Sequence, residues 1–505
     1  MRHTLVMLAF CCCIVGCDDA TQEMPGDTTI YDLVLNGGRV IDPESGLDAI
    51  RNVGIVAKTI AAISTEPMQG STTIDVSGLV VSPGFINVHS HSWTRLGQEF
   101  ELKDGVTTAL ELEAGAYPVA EFGTHEPIAI ADNARINFGA SVGHAWARST
   151  VLEADDPVTG ADHMRASAMT GGDVRGMERP AFRQPLLPPQ REEMRSHLQS
   201  GLDEGGLGIG MLLDYMSDVV DDAEMQLVFD VAAQKQAPII VHIRRGIAGD
   251  PSGLKEIIRY AKASGAPVHV CHVQANAMSN IHEFLHLIRE ARDEGVRITT
   301  ESFPYNGASA PISSAVFNRD WQTIFDITYE DVEWAATGER FNETMWQEYR
   351  EKYPGGTVIH HYNREEWTSV ATNAPDVIVA ADGFPIFTLE QKVAPFGIGT
   401  NSRVLGRYVR EKGTLSLQDA IAKMTYLPAK MLQDYSPSMA KKGRINPGAD
   451  ADITVFDPAT IIDNATYADP YQASSGIVHV LVGGQLALRD GELQQGVFAG
   501  RRVLR

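Results

Sequence analysis

The sequence predicts an α/β protein: a (β/α)8 barrel of the TIM type, joined to a small β-sandwich that both ends of the chain build. Three observations lead to this prediction. Strand-like and helix-like segments alternate through the middle, both ends carry short strands with glycine turns, and metal-binding residue types follow several apolar runs. The 505 residues are enough for one large barrel and one smaller domain.

The first residues predict an export signal that lies outside the folded body. A basic Arg2 precedes a short apolar run that ends in IVGC, with Gly16 directly before Cys17. This order is typical of a bacterial lipoprotein signal over residues 1–16, with a lipid on Cys17 and a polar linker over residues 17–30. An ordinary secretory signal is the alternative. We therefore expect a protein anchored in the bacterial cell envelope, at the periplasmic or outer face.

The two ends of the mature chain have the pattern of short strands. YDLVLNGGRVID, which begins at Tyr31, predicts a hairpin around its Asn-Gly-Gly turn. RINPGADADITVFDP from Arg444 and GIVHVLVGGQLALRDGEL from Gly476 continue the same pattern. We expect residues 31–82 and 436–505 to form the sandwich together.

The middle of the chain, residues 83–435, alternates strands with helices. A helical pattern from Ala223 precedes the apolar run APIIVHI, and PSGLKEIIRYAKASG precedes APVHVCHV. Repeated βα units predict a parallel sheet, and this length fits an eight-stranded barrel. A doubly wound sheet is the alternative, but the glycine cluster EGGLGIGM matches no dinucleotide-binding pattern. Residues 318–373, rich in Trp, Glu and Tyr, predict an insertion or lid over the barrel mouth.

Charge and cysteine content exclude two kinds of protein. The formal net charge of −23 argues against a nucleic-acid partner, which would need a basic surface. Four of the five cysteines lie in the leader, so Cys271 cannot take part in a disulfide framework. Cys271 precedes His272 but points to the other face of the strand, which predicts a buried thiol rather than a ligand.

Residues that bind metals follow the predicted strands. The side chains of His89 and His91 share one face because strand residues alternate. The carboxyl ends of barrel strands converge on one site, and imidazole with carboxylate suits zinc. Each residue alone would more often be structural, but together they predict a zinc-type hydrolase with one or two ions. The strand ends concerned carry His89 with His91, Glu111 with Glu113, His242, His272 and Asp382.

Several motifs resemble the amidohydrolase superfamily, and within it the N-acyl-D-amino-acid deacylase (D-aminoacylase) branch. They are VVSPGFINVHSH, GVTTALELEAG, GASVGHAWAR, APVHVCHV, FPYNGAS, ADGFP, the segment from Arg403 and the tail GRINPGADADITVFDPATI. The similarity runs from about Asp32 to Arg505. It implies a metal-dependent hydrolysis of N-acyl-D-amino acids to a D-amino acid and a carboxylate, with a small N-acyl amino acid as substrate.

The resemblance also implies roles for single residues. His89 and His91 correspond to the first metal pair, and His242 and His272 to the tighter zinc site; Asp382 corresponds to the general base and acid. Arg244 and Arg403 correspond to arginines that pair with the substrate α-carboxylate, Tyr305 to a tyrosine near the scissile group, and His144 to a substrate-binding or structural histidine.

The chain departs from this pattern at two positions. Many D-aminoacylases carry a cysteine zinc ligand where this sequence has Ala114, so Glu113, with Glu111 behind it, is the expected substitute. A carboxylate is harder than a thiolate and often bridges two metals, which predicts a more balanced two-metal site. Gln274 stands where relatives often have lysine. Arg148 and Arg245 are candidates for contact with an acidic D-Glu or D-Asp side chain, and a surface charge is the alternative for each.

Two further functions stay open from the sequence. A cyclic amidase of dihydroorotase or hydantoinase type would use the same ligands, but it would usually need a carboxylated lysine, and no lysine follows a matching strand. A tethered binding protein without catalysis is the other possibility, and the intact Asp382 with four histidines argues against it.

Overall fold

The protein was analysed as a computed structural model that describes residues 29–124, 129–155, 179–390 and 393–505. The predicted signal over residues 1–16 and the predicted lipidation site, Cys17, lie outside the described residues. Within the described ranges, no helix combines the length and the apolar character needed to cross a membrane.

The described chain consists of a barrel, a terminal β-sheet and an inserted unit. The strands, numbered in chain order, are β1 (Ile30–Asp42), β2 (Leu47–Val56), β3 (Thr59–Ser64), β4 (Gln69–Asp75), β5 (Val80–Pro83), β6 (Phe85–Asn87), β7 (Val106–Ala116), β8 (Asn137–Gly143), β9 (Ile209–Leu212), β10 (Ile239–His242), β11 (Val268–Val270), β12 (Ile298–Ser302), β13 (Ala308–Pro311), β14 (Val332–Trp334), β15 (Glu339–Arg340), β16 (Thr357–His360), β17 (Val377–Val379), β18 (Ile453–Phe456), β19 (Ile477–Val482), β20 (Gln485–Arg489) and β21 (Glu492–Leu493). The α-helices span Arg95–Lys103, His144–Leu152, Pro180–Arg183, Pro188–Asp203, Asp222–Lys235, Ser252–Ser264, Val273–Ala277, Ile281–Asp293, Trp321–Phe325, Glu343–Lys352, Glu365–Asn373, Phe396–Arg403, Leu417–Met424 and Tyr426–Leu432, and a π-helix spans Val404–Glu411.

Eight parallel strands form the barrel, in the order β6-β7-β8-β9-β10-β11-β12-β17. The circle closes just past the first and last strands, where the N–H of Asp382 donates to the carbonyl of His89 (2.8 Å) and the N–H of His91 donates to the carbonyl of Gly383 (3.0 Å). Helices follow most of the strands, so these continuous apolar runs are buried on both faces. The predicted (β/α)8 barrel is confirmed.

Strands from both ends of the chain join in one nine-stranded sheet. Its order is β21-β20-β19-β18-β5-β1-β2-β3, and β4 pairs with β1. The two ends meet where β5 and β18 run antiparallel, with Val81 opposite Val455. Leu35, Val53 and Ile55 pack with that pair in one apolar cluster. The exact domain boundaries remain a prediction.

A separate unit interrupts the barrel between β12 and β17. Its four antiparallel strands are ordered β13-β16-β14-β15, and aromatic side chains such as Phe317, Trp321 and Trp346 fill its interior. His360, at the end of β16, and Phe325 line the cavity at the barrel mouth. The inserted unit therefore supplies one wall of that cavity.

Candidate metal centre and active site

A cavity opens at the carboxyl ends of the barrel strands, where a barrel concentrates its polar side chains. The strand ends contribute His91, Glu113, His242, His272 and Asp382 to its lining. His89 lies behind them, against the same cluster.

The backbone turns sharply at two of these positions. His272 has φ 33° and Asp382 has φ 55°, both in the left-handed region that a side chain disfavours by about 1–2 kcal/mol. His272 lies two residues past the end of β11 and Asp382 three residues past the end of β17, and both side chains line the cavity. Strain that the surrounding structure holds in place is common at functional sites.

Glu113 lies between two sets of histidines. Its Oε1 is 3.0 Å from His242 Nδ1 and 2.9 Å from His272 Nε2. Its Oε2 is 3.2 Å from His89 Nε2 and 3.7 Å from His91 Nε2. One carboxylate therefore offers an oxygen to each of two adjacent metal positions.

Asp382 completes the set on the side of His89 and His91. Its Oδ1 lies 3.3 Å from His89 Nε2 and 3.6 Å from His91 Nε2. The side chain is 21% exposed, whereas Glu113 is 6% exposed, so Asp382 is the more open of the two carboxylates toward the cavity.

The donor set fits a divalent metal. His89 Nε2 is buried and has no hydrogen-bond partner in the described structure, although two carboxylate oxygens lie within 3.3 Å. Such a crowded but unbonded imidazole nitrogen is aimed at a shared point. Two groups have their ligand atoms within 4.8 Å of one another: His89, His91, Glu113 and Asp382 in one, and Glu113, His242 and His272 in the other.

The electrostatics of the cluster favour a cation. Burial raises the pKa of Glu113, but His89, His242 and His272 lower it further, and the net pKa is well below its ordinary value. Burial lowers the pKa of His89, yet the nearby carboxylates of Glu113 and Glu301 bring it well above its ordinary value. The carboxylates thus stay charged and draw positive charge into the site.

Other carboxylates orient the candidate ligands from behind. Glu111 Oε2 accepts from His91 Nδ1 (2.7 Å) and from Trp93 Nε1 (2.8 Å). Glu301 contacts His89 Nδ1 and lies 2.9 Å from His269 Nε2. Carboxylates behind a ligating imidazole fix its tautomer and orientation. Glu111 therefore lies behind His91, whereas the oxygens of Glu113 lie among the histidine nitrogens, which makes Glu113 the better candidate ligand.

Cys271 is buried and free. Burial raises the pKa of its thiol well above the ordinary value, with Glu301 adding to the effect. Although the sulfur lies near His89 and Glu301, a thiol kept protonated is a poor metal ligand.

Arg244 lies outside the cavity lining. Its two terminal nitrogens donate to the carbonyls of Ser217 (2.6 Å) and Val220 (2.7 Å), and Nε donates to Glu256 (3.0 Å). Because these bonds hold the guanidinium on protein groups away from the cavity, the placement does not support the carboxylate-binding role implied for Arg244.

Arg403 and Tyr305 are also outside the lining of the described cavity. They stack on one another, with the guanidinium 4.5 Å from the ring centre. Arg403 donates to the carbonyl of Pro304 (2.6 Å) and to Asp463 (2.8 Å). The pair holds the barrel against the C-terminal segment, so neither side chain is placed to contact a substrate.

His144 is fully buried, and its Nε2 lies 2.7 Å from Glu224 Oε1. Arg148 shares the same carboxylate. Burial lowers the pKa of His144, which keeps it neutral in this network. Of the two roles left open for His144, the placement favours the structural one.

The cavity has polar residues that sequence reasoning missed. Asp214 and Tyr215 follow β9 and line the cavity. This strand has only four residues and lies in a glycine-rich segment, so its strand pattern was hard to recognise. His360, which comes from the insertion, was missed as well, whereas Arg245 was already a sequence candidate for contact with an acidic substrate side chain. The position of Asp214 just past a strand was the one available signal.

Comparisons with known proteins find similarity to amidohydrolases. A model of the amidohydrolase family, Amidohydro_3, matches residues 393–487. N-acyl-D-glutamate deacylase of Alcaligenes xylosoxydans xylosoxydans is 29% identical over 90% of this chain and 93% of its own length. D-aminoacylase of the same organism is 26% identical over 95% of this chain and 99% of its own length. The crystal structure of N-acyl-D-glutamate deacylase from Bordetella bronchiseptica, complexed with zinc and a phosphonate inhibitor, superposes with a TM-score of 0.74 at 24% identity, covering 94% of this chain and 100% of that chain.

Proposed function

We propose that this chain, an amidohydrolase of the N-acyl-D-amino-acid deacylase branch, hydrolyses the amide bond of N-acyl-D-amino acids to a D-amino acid and a carboxylate. The similarity to the N-acyl-D-glutamate deacylase and the D-aminoacylase confirms the resemblance found in the sequence. One observation carries the proposal: Glu113 lies between two histidine pairs, with Asp382 beside one of them at the cavity.

One or two zinc ions are the cofactor that the cluster would hold. A bound zinc ion supplies a Lewis acid, which acidifies water and polarises an amide carbonyl. The residues that would hold it are His89, His91, Glu113, His242, His272 and, beside the first pair, Asp382.

Asp382 acts as the general base and then as the general acid. Burial raises its pKa, but His89 and His91 lower it further, so the net pKa is below the ordinary value and the group is a carboxylate at neutral pH. It can therefore take a proton from an attacking water. It returns that proton to the nitrogen of the leaving amine when the amide C–N bond breaks.

Tyr215 is placed to bind the amide oxygen. Its ring lies 4.8 Å from that of His242 and lines the cavity. Burial, with help from Glu113 and Asp382, raises the pKa of its phenol well above the ordinary value, so it remains an O–H donor. The mechanism needs such a donor where negative charge develops on the amide oxygen.

The two alternative functions receive less support. No lysine lines the described part of the cavity, and a cyclic amidase of the dihydroorotase type would usually need one to bridge its metals. A binding protein that had lost catalysis would not need Asp382 held beside His89 and His91 by a strained backbone.

We also propose that the protein is a lipoprotein of the bacterial cell envelope, anchored through Cys17. The order of Arg2, an apolar run, Gly16 and Cys17 supports this. A full-length chain should fractionate with membranes, and the Cys17→Ser variant should lose its lipid. A wild-type chain that carries no lipid and does not fractionate with membranes would contradict the lipid anchor.

The hydrolysis is tested with paired substrates. Purified zinc-loaded protein is assayed on the N-acetyl-D and N-acetyl-L forms of the same amino acids, with Asp382→Asn as the catalytic control. We expect the wild-type protein to hydrolyse the N-acetyl-D substrates and the Asp382→Asn variant to lose this activity. Turnover of the L series alone, or of neither series, would refute the proposed function.

A further inference from the structure

We propose that Arg245 binds the single carboxylate of the substrate, and that the enzyme consequently prefers N-acyl amino acids with an apolar side chain to N-acyl-glutamate or N-acyl-aspartate. This inference deepens the proposed function and rests on it. It separates this chain from the glutamate-specific relative to which it is similar.

Arg245 has unused hydrogen-bond donors at the cavity. Its side chain is 7% exposed. Nη1 donates to the carbonyl of Ala275 (2.7 Å) and to Tyr362 Oη (3.2 Å), and Nη2 donates to Asn276 Oδ1 (3.2 Å). A guanidinium has five N–H donors, so the Nε–H and one hydrogen of Nη2 remain. The buried Nε has no hydrogen-bond partner in the described structure. A carboxylate can accept from both nitrogens at once.

Positive charge exceeds negative charge in the immediate surroundings of Arg245. Its nearest carboxylate is Asp214, whose Oδ2 lies 3.9 Å from the Arg245 Nε, beyond hydrogen-bond distance. Asp214 is already bonded to Arg319 through Oδ1 (2.7 Å). Two guanidinium groups therefore face one carboxylate, and a bound anion would balance the remaining charge.

The other side chains considered for the substrate carboxylate lie elsewhere. Arg244 and Arg403 donate to protein oxygens outside the cavity. Gln274, at the position where relatives often carry lysine, donates to the carbonyl of Phe303 (3.1 Å). Among the residues that the structure describes, Arg245 is thus the one arginine in the cavity lining, which includes no lysine.

The remaining wall beyond the metal cluster is mostly apolar. A second carboxylate in this space would lose its water without gaining a cation, which is costly. An aliphatic or aromatic side chain would instead bury surface against it. The larger apolar residues of this wall are Leu212, Phe303, Pro311, Val316, Phe325 and Phe384.

Three substrates test the inference: N-acetyl-D-leucine, N-acetyl-D-leucinamide, which has no carboxylate, and N-acetyl-D-glutamate. We expect wild-type kcat/KM to be at least about tenfold higher for the leucine than for the glutamate substrate, because the second carboxylate has no partner. In Arg245→Gln, loss of two charge-assisted hydrogen bonds should raise KM for N-acetyl-D-leucine about 100-fold.

The leucinamide substrate separates binding from a structural effect. Its kcat/KM should change less than about threefold in Arg245→Gln, because it makes no ion pair with Arg245. Arg245→Lys keeps the charge but loses the planar guanidinium. Its KM for N-acetyl-D-leucine should therefore lie between those of Arg245→Gln and wild type. Arg259→Gln, at a side chain that is 60% exposed, is the matched control and should behave as wild type.

Each other outcome has a distinct meaning. An equal loss on leucine and leucinamide, or a leucine preference below tenfold, would overturn the inference while hydrolysis itself stands. Absence of turnover of all three substrates would overturn the proposed function, and this inference with it.

Discussion

The carboxylate of Glu113 lies 2.9 Å from the imidazole of His272, although 159 residues separate the two in the chain. The other oxygen of Glu113 faces His89. Glu113 thereby belongs to both groups that could hold a metal. A single side chain in that position connects the two groups of candidate metal ligands.

Replacing Glu113 with alanine should empty both metal positions. Each group would lose a ligand, and its histidines would lose the charge that holds them. We expect less than one zinc per chain by elemental analysis and a fall in kcat/KM of at least about 10³-fold. Glu192→Ala, at an exposed side chain, is the control. Full zinc occupancy in Glu113→Ala would contradict the assignment.

Asp382→Asn should separate metal binding from proton transfer. An amide cannot accept the proton of the attacking water, so kcat should fall about 10²- to 10⁴-fold. The group formed by Glu113, His242 and His272 is untouched, so at least one zinc per chain should remain. A kcat within threefold of wild type would exclude Asp382 as the base.

Glu111→Gln should weaken zinc binding without removing a ligand. Glu111 accepts the N–H of His91 Nδ1, and loss of its charge lowers the basicity of the ligating imidazole. We expect the Kd of the zinc held by His89 and His91 to rise about 10- to 100-fold in chelator competition. An unchanged Kd would show that Glu111 has no part in tuning the metal.

Glu101 should make stability depend on pH. It is buried behind the His-x-His turn, Oε1 accepts from Asn87 and Ser90, and Oε2 has no hydrogen-bond partner in the described structure. Burial raises the pKa of Glu101 to about 8. The folded protein keeps this proton up to about pH 8, whereas the unfolded chain releases it at about pH 4.3. Because the folded state binds the proton more tightly, the free energy of unfolding falls as the pH rises between these two values.

The Glu101→Gln variant removes that titration and keeps the accepting oxygen. Relative to wild type, its free energy of unfolding should rise by up to about 4 kcal/mol between pH 5 and pH 8, measured by urea denaturation at both values. The exposed Glu192→Gln should show no such change. A Glu101→Gln difference that is the same at both pH values would contradict the raised pKa.

The sequence predicted the barrel and the metal cluster because both follow from simple periodicity. Residues two apart on a strand share a face, which placed His89 with His91. Parallel strands end on one edge, which puts His242, His272 and Asp382 at the same cavity. The same rule could not rank Glu111 against Glu113, because strand alternation puts both on one face and only their depth differs.

The substrate-binding residues were harder to predict because they lie past the strands. β10 ends at His242, so alternation no longer decides whether Arg244 or Arg245 points inward. His360 and Tyr362 come from the insertion, whose position over the barrel depends on its tertiary packing. Local sequence carries little information about such contacts.

Glu113 belongs to both groups that could hold a metal, and anomalous scattering from a zinc-loaded crystal tests its role most directly. We predict zinc peaks on both sides of the Glu113 carboxylate, one with His242 and His272 and the other with His89 and His91. A zinc peak that Glu113 does not contact would contradict the assignment of Glu113 as the shared ligand.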